Sequence, residues 1–305
     1  MKALVTGCAG FIGSHLVDKL LEQGYEVIGI DCFTDYYAKE LKEANISNAV
    51  KHNNFEFVEK ELLKLTEYPE VDYVFHEAAQ AGVRASWGNS FEIYTRNNVD
   101  VTQKLLEFYK DRKLIKFVYA SSSSVYGDTE LPMREKSLLK PVSPYGVTKL
   151  AAENLCYLYC KNYGVPTVSL RYFTVYGPRQ RPDMAIHKFV RAILNGEAIT
   201  VFGDGTQTRD FTYVADIVAA NILAARCDKV GDVFNIGGGS RITVNELIKR
   251  IEDITAEKAS VKYIEKQKGD VKDTLADTSK ISDELNWTPG IKIEEGIERF
   301  VRWYK

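Results

Sequence analysis

"VTGCAGFIGSHL", residues 5 to 16, runs from an apolar strand-like segment through three glycines, Gly7, Gly10 and Gly13, into an amphipathic helical pattern. The missing side chains let the chain turn tightly and let backbone N–H groups approach a pyrophosphate at the helix N-terminus, with Phe11 and Ile12 carried between the second and third glycine. The next strand-like run, "EVIGID", ends on Asp31, an acid suited to accept hydrogen bonds from a ribose hydroxyl. Glycine turns alone are ordinary. Strand, glycine turn, helix and acid within one βαβ unit predict a dinucleotide site made by Gly7, Gly10, Phe11, Ile12, Gly13 and Asp31. Asp31 also repels a 2′-phosphate, so the cofactor expected is NAD rather than NADP.

Outward from this unit, apolar runs such as "VDYVFHEAA", "IKFVYASS" and "TVSLRYF" alternate with helical patterns such as "VTQKLLEFYKDR" and "GVTKLAAENLCYLYCKNYG". That order predicts an α/β fold, a Rossmann-type doubly wound parallel sheet with helices on both faces and a smaller C-terminal substrate-binding domain. The boundaries expected are 1–172 for the NAD-binding domain, with 210–235 returning to it, and 173–209 with 236–305 for the substrate domain. No internal repeat, low-complexity tract or flexible linker separates the two.

With 305 residues, 45% apolar, and a formal charge of −2, the chain can bury a large core and has no excess of positive charge to attract phosphodiester backbones. Nucleic acid is not an expected partner. "MKALVTG" enters a strand at once, and no later run approaches the length of a membrane span, so a soluble, cytoplasmic protein is expected. The five cysteines form no CxxC pair and have no nearby histidine at zinc spacing, so neither a disulfide framework nor a metal site is predicted. Cys156 and Cys160 share a helix face, a spacing equally common in packed helices.

"YASSSSVYG", residues 119 to 127, puts four serines at the end of an apolar strand-like run, and "SPYGVTKLAAE" holds Tyr145 and Lys149 four apart on one helix face. Beside a dinucleotide the pairing has a chemical reason. A phenol of pKa about 10 must be lowered by roughly three units, about 4 kcal/mol of charge stabilisation, to act as a base at neutral pH. Lys149 and a positive nicotinamide ring can supply it. Glycine motif, "HEAA" at 76 to 79, Asn98 in "NNVDVT", serine strand end and Tyr-Lys helix follow one another in an order that resembles the extended short-chain dehydrogenase/reductase family over the whole chain. The resemblance implies that Tyr145 and Lys149 are catalytic, that Lys149 also contacts the cofactor, and that Ser122 bonds the substrate hydroxyl.

Relatives that dehydrate sugar nucleotides carry Asp-Glu directly after that hydroxyl residue, and decarboxylases carry a Glu in the second position. Here Ser123 and Ser124 stand there. Without proton-transfer groups for elimination, the pattern fits hydride transfer out and back at one carbon, which is epimerisation; the alternative is that Ser124 fills a tight strand-end turn. By the same resemblance, Arg209 in "VFGDGTQTRDFTYVADI" contacts a pyrophosphate, for which a planar guanidinium is suited, and Asp270 in "QKGDVKDTLADTSK" bonds the nucleoside ribose.

"LRYFTVYGPRQRPDMAIHKF", with "DCFTDYY" and "AAQAGVR", is similar to UDP-glucuronate 4-epimerases; many hexose epimerases have Asn where this chain has Thr174. The resemblance assigns Thr174 and Arg181, with the serines, to a C6 carboxylate. The alternative role, as loop or subunit-contact residues, suits Arg179 more than Arg181. A 4-keto glucuronate is primed to lose CO2, so an enzyme of this kind must fix the carboxylate and offer no acid at C5. The implied activity is NAD-dependent C4 epimerisation of UDP-glucuronate, with UDP-glucose or UDP-N-acetylglucosamine epimerisation and a non-catalytic dinucleotide-sensing scaffold as the rivals. A homodimer through a four-helix contact is implied as in relatives, because the helix carrying Tyr145 is apolar all round.

Overall fold

The computed structural model describes residues 1–239 and 241–305. The strands are β1 (Lys2–Thr6), β2 (Glu26–Asp31), β3 (Phe55–Glu59), β4 (Tyr73–His76), β5 (Lys116–Ser122), β6 (Thr167–Tyr172), β7 (Thr174–Tyr176), β8 (Ala198–Phe202), β9 (Thr208–Tyr213), β10 (Asp232–Ile236), β11 (Arg241–Thr243) and β12 (Ser260–Ile264). The α-helices are α1 (Phe11–Glu22), α2 (Lys39–Ile46), α3 (Phe91–Tyr94), α4 (Val101–Tyr109), α5 (Pro144–Tyr163), α6 (Ala185–Leu194), α7 (Val214–Arg226), α8 (Val244–Thr255), α9 (Ser279–Leu285) and α10 (Ile293–Tyr304).

Seven strands form one sheet in the order β10-β6-β5-β4-β1-β2-β3, every neighbouring pair parallel. Alternation along each strand explains why both faces are covered. Ala3 and Val5 of β1 join one core cluster with Leu16, Val17 and Leu20 of α1 and Ile217 and Val218 of α7. Leu4 points the other way, with Leu105 and Leu106 of α4 and Ala152 and Cys156 of α5. This is the doubly wound sheet that the alternating pattern predicts. Burial pushes the Cys156 thiol far up, so that side chain packs rather than reacts.

The strand order reverses between β1 and β4, and the crevice over the carboxyl ends there is where such sheets bind ligands. Beyond β6 the chain builds a three-stranded sheet, β11-β9-β7, and a two-stranded one, β12-β8, with α6, α8 and α10 packed together beside them. Among the described residues no helix is long and apolar enough to cross a membrane.

Candidate active site

A cavity of about 470 Å³ opens over the carboxyl ends of the central strands. It is lined by Gly7, Gly10, Phe11, Ile12, Gly13 and Asp31 at one end and by Ala120, Ser121, Tyr145, Lys149, Tyr172 and Arg181 at the other. All the cofactor residues expected from the sequence therefore meet in one cavity with the Tyr-Lys pair. Ser122 joins them beside the Tyr145 phenol, whose ionisation it favours. Ser123, Ser124, Thr174, Arg209 and Asp270 do not line this cavity.

The glycine turn fits a dinucleotide by what it lacks. Gly7 has φ +68°, and a Cβ there would lie 2.8 Å from the Ala78 backbone; one on Gly13 would lie 2.2 Å from the Gly7 carbonyl oxygen. Gly10, the cap residue of α1, offers no side chain to the first N–H groups, and the first turn carries no acid. Those donors are left for an anionic ligand. Asp31 Oδ2 accepts from Ala9 N at 3.1 Å and Oδ1 from Phe33 N at 3.0 Å, so this acid also orders the turn it faces. The donor set suits NAD, whose pyrophosphate would be held by Gly7, Gly10 and Gly13 and a ribose by Asp31.

At the other end, β5 delivers Ser122 and α5 delivers Tyr145. Ser143 caps α5 by accepting from Gly146 N at 3.1 Å, and Pro144 sits in the first turn, where its missing N–H costs nothing. Asn98, buried in a π-helical turn (Thr95–Asp100) between α3 and α4, donates to Thr148 Oγ1 at 2.9 Å and to the Gln80 carbonyl at 3.1 Å. It ties the loop after β4 to the helix segment between Tyr145 and Lys149. Beneath the serines, Arg171 grips Glu153 through Nε at 3.0 Å and Nη2 at 2.5 Å, and Ser121 donates to the same carboxylate at 2.6 Å. A buried pair needs this full set of partners to offset its desolvation.

The electrostatics differ from the sequence expectation. Burial pushes the Tyr145 phenol up, while the Ser122 hydroxyl and the Arg181 guanidinium pull it down. Lys149, expected to supply that charge, is itself lowered by burial to about 8, against the pull of Glu77, and its Nζ lies over the Tyr119 ring, 4.5 Å from the centroid. Arg181 thus acts on the phenol as well as facing the cavity.

Arg181 is also engaged already. Its Nε and Nη2 donate to Asp183 at 2.9 and 3.2 Å, and the Tyr36 hydroxyl donates to Asp183 Oδ2 at 3.1 Å. Burial alone would raise the Asp183 carboxyl, but Arg181 outweighs it and holds the carboxyl below the usual range. Arg179 faces elsewhere, pairing with Asp18 on α1 at 2.7 Å, a loop-holding role.

Arg209 and Asp270 form a separate cluster. Arg209 Nη1 donates to the Thr208 and Lys272 carbonyls at 2.8 and 2.9 Å. Asp270 accepts from Arg84 Nη2 at 2.6 Å, and the Arg84 guanidinium stacks on Phe202, 3.9 Å from the ring centroid. Two arginines flank this acid, and Arg84 was not singled out in the sequence although it ends "AAQAGVR".

Glu77 was also missed. It sits inside the quoted "HEAA", directly after β4, and lines the cavity, which therefore does hold a carboxyl besides Asp31. Burial raises it to about 7, against the opposing effects of a hydrogen bond from Tyr172 and the charge of Lys149. The available signal was a carboxyl at the end of an otherwise apolar parallel strand, where ligands bind.

Residues 3–237 match the NAD dependent epimerase/dehydratase family. The chain belongs to that family. Among its members, YtcB of Bacillus subtilis, described as an uncharacterized UDP-glucose epimerase, is 44% identical, covering 97% of this chain and 96% of its own. The UDP-glucuronate 4-epimerase of Thermodesulfobacterium geofontis is 42% identical over 99% of this chain and 95% of its own. The crystal structure of UDP-glucuronic acid 4-epimerase from Bacillus cereus, in complex with UDP-glucuronic acid and NAD, superposes with a TM-score of 0.96 at 43% identity, over 99% of this chain and 98% of that one.

Proposed function

We propose that this member of the epimerase/dehydratase family binds NAD and interconverts UDP-glucuronate and UDP-galacturonate by epimerisation at C4. The observation that carries the reading is one cavity lined by the glycine turn, Tyr145, Lys149 and Arg181, next to a strand end where serines stand in place of a dehydratase acid pair. Full-length likeness to two UDP-glucuronate 4-epimerases supports the same substrate.

In this reading Tyr145, as phenolate, takes the proton of the C4 hydroxyl, and Ser122 holds that hydroxyl and the phenol together. The chemistry supplied by bound NAD is acceptance of the C4 hydride and its return to the opposite face. Tyr145 gives its proton back to the C4 oxygen, so protons and electrons balance over the cycle. Arg181 lowers the phenol and meets the C6 carboxylate; Thr174, Ser123 and Ser124, which stand outside the cavity lining, are left without a part in holding it. Arg209 and Asp270, joined by Arg84, receive the diphosphate and ribose of UDP. We also propose a homodimer: α5 exposes Val147, Tyr157 and Leu158, a surface suited to a second copy.

One observation favours a second reading. With Asp183 already neutralising Arg181, the pocket can also take a neutral UDP-hexose, as the description of YtcB suggests for that protein. The deciding experiment is an NMR time course with UDP-glucuronate and UDP-glucose in parallel. UDP-galacturonate forming much faster than UDP-galactose supports the proposal; the reverse order, or no turnover of either, sinks it.

A further inference from the structure

The proton transfer at Tyr145 has no use for Glu77, yet three elements hold its carboxyl in the cavity. Glu77 Oε1 accepts a 2.8 Å hydrogen bond from the Tyr172 hydroxyl at the end of β6, and that hydroxyl accepts one of 2.7 Å from Asn221 Nδ2 on α7. The same amide donates to the Ile217 carbonyl at 2.9 Å on its own helix, which fixes the relay. The charged and titratable groups facing Glu77 are Lys149 from α5 and Tyr172 from β6. From β1 and α7 the neighbours are neutral: the Gly7 backbone, and Asn221 behind Tyr172. His76, next to it on β4, turns away to Thr6 and Thr102.

The direction of a bound dinucleotide follows from the strand order. Asp31 at the end of β2 marks one ribose, and the turn after β1 marks the pyrophosphate. The other half must continue past β1 over β4, β5 and β6, toward Tyr145, because hydride and proton leave adjoining atoms of one carbinol. Glu77 lies in that half, at the end of β4. Resting on the NAD-binding reading, we infer that Glu77 is the counter-charge of the oxidised nicotinamide ring, a carboxylate that makes the site hold NAD in preference to NADH. The oxidised ring is a cation and the reduced ring is neutral, so only the first gains from a nearby carboxylate. For epimerisation the consequence is that the reduced cofactor is poorly held in its state, which speeds hydride return and shortens the life of the keto sugar.

Burial against Tyr172 and Lys149 leaves this carboxyl near 7, so an arriving cation draws off its proton around neutrality. The Glu77 contribution to NAD affinity therefore climbs with pH up to about 7 and then levels, while NADH affinity does not follow it; changes nearer pH 8 belong to Lys149. The test is the full-length protein and its Glu77→Gln variant, which keeps the size and the acceptor for Tyr172 but loses the charge. Dissociation constants for NAD and NADH are measured by calorimetry at several pH values. The expected result is that Kd(NADH)/Kd(NAD) at pH 8 falls by about tenfold in Glu77→Gln, equal to about 30 mV for a two-electron couple, and that the climb of NAD affinity below about pH 7 disappears. A ratio within threefold of the parent overturns the inference while leaving NAD binding intact. A parent that binds neither nucleotide overturns the cofactor reading and this one together. If Glu77→Gln does not fold, Tyr172→Phe serves: losing its hydrogen bond raises the carboxyl, so the levelling point must move to higher pH, and an unmoved point overturns the inference.

Discussion

Gly146 approaches the serine turn so closely that a Cβ built on it would lie 2.4 Å from the carbonyl oxygen of Ser124. Backbone, not a yielding side chain, fills that space. The contact sets the distance between the strand end that carries Ser122 and the helix turn that carries Tyr145. Gly146→Ala must push the start of α5 away from β5 by several tenths of an ångström or more. We expect turnover to fall on the order of 10- to 100-fold, the cost of misplacing a reacting group by up to an ångström, with bound nucleotide retained. A variant as fast as the parent would show that the turn can yield without moving Tyr145.

Tyr145→Phe keeps the ring that meets Tyr94 edge to face, with centroids 6.2 Å apart, and removes only the hydroxyl. Loss of a general base costs on the order of 10²- to 10⁴-fold. Turnover should fall by that much, measured by NMR, while the nucleotide content of the purified protein stays unchanged. Activity within a few-fold of the parent would exclude Tyr145 as the base.

Lys149 links the site to stability. Burial lowers its ammonium from an ordinary 10.5 to about 8. Between those values the unfolded chain binds the proton more tightly than the folded one, so stability rises with pH from about 8 to 10.5, and below 8 the burial penalty is present in full. Its size is on the order of 3 kcal/mol. Lys149→Met should therefore be inactive yet more resistant to urea at pH 7 than the parent, both freed of nucleotide. The gap should close as pH approaches 10. A variant less stable at pH 7 would mean that the favourable contacts of Lys149 outweigh its burial.

Local chemistry was legible in the sequence, and long-range pairing was not. Gly7, Gly10, Gly13 and Asp31 lie within one βαβ unit, and Tyr145 and Lys149 within one helical turn, so spacing alone brings each set together. Their meeting in one cavity follows from the parallel strand order, which the alternation of patterns implied. Glu77 meets Tyr172 across 95 positions, Tyr36 meets Asp183 across 147, and Arg84 meets Asp270 across 186. No periodicity encodes such pairs. Arg209 and Asp270 were found only by resemblance, and the partner of Asp270, Arg84, lies in a short 3-10 helix that follows β4, far away in sequence. Spacing also gives no sign of burial, which pushes the Tyr145 phenol up and lowers Lys149, or of Ser122 and Arg181, which pull the phenol down.

The apolar outer face of α5 gives the assembly its test. Tyr157 and Leu158 are exposed on it, while Tyr159, whose ring meets that of Tyr163 one turn on, is tied to Gln103 and Glu107 of α4. The parent should sediment as a dimer at micromolar concentration. Leu158→Arg should shift it toward monomer, since an unpaired charge buried in such a contact is costly. A monomeric parent would remove the four-helix contact.

Arg181 carries two effects that a single substitution would confuse. It faces the cavity where a sugar carboxylate is proposed to bind, and it lowers the Tyr145 phenol. Arg181→Ala also leaves Asp183 without its ion-pair partner, a bare carboxylate that further disfavours phenolate. The phenol must then ionise at higher pH, so the rising limb of kcat/KM moves up for any sugar, acidic or neutral. Above that limb the phenolate is restored and the loss for UDP-glucose should fade. For UDP-glucuronate a second loss persists at every pH, because the carboxylate has lost a charge-assisted bond worth roughly 2 kcal/mol, about 30-fold. Some keto sugar should also escape as CO2 and a 4-keto pentose, visible in the same NMR spectra. Equal losses for the two sugars on the high-pH plateau would confine Arg181 to the phenol and remove its part in choosing an acidic sugar.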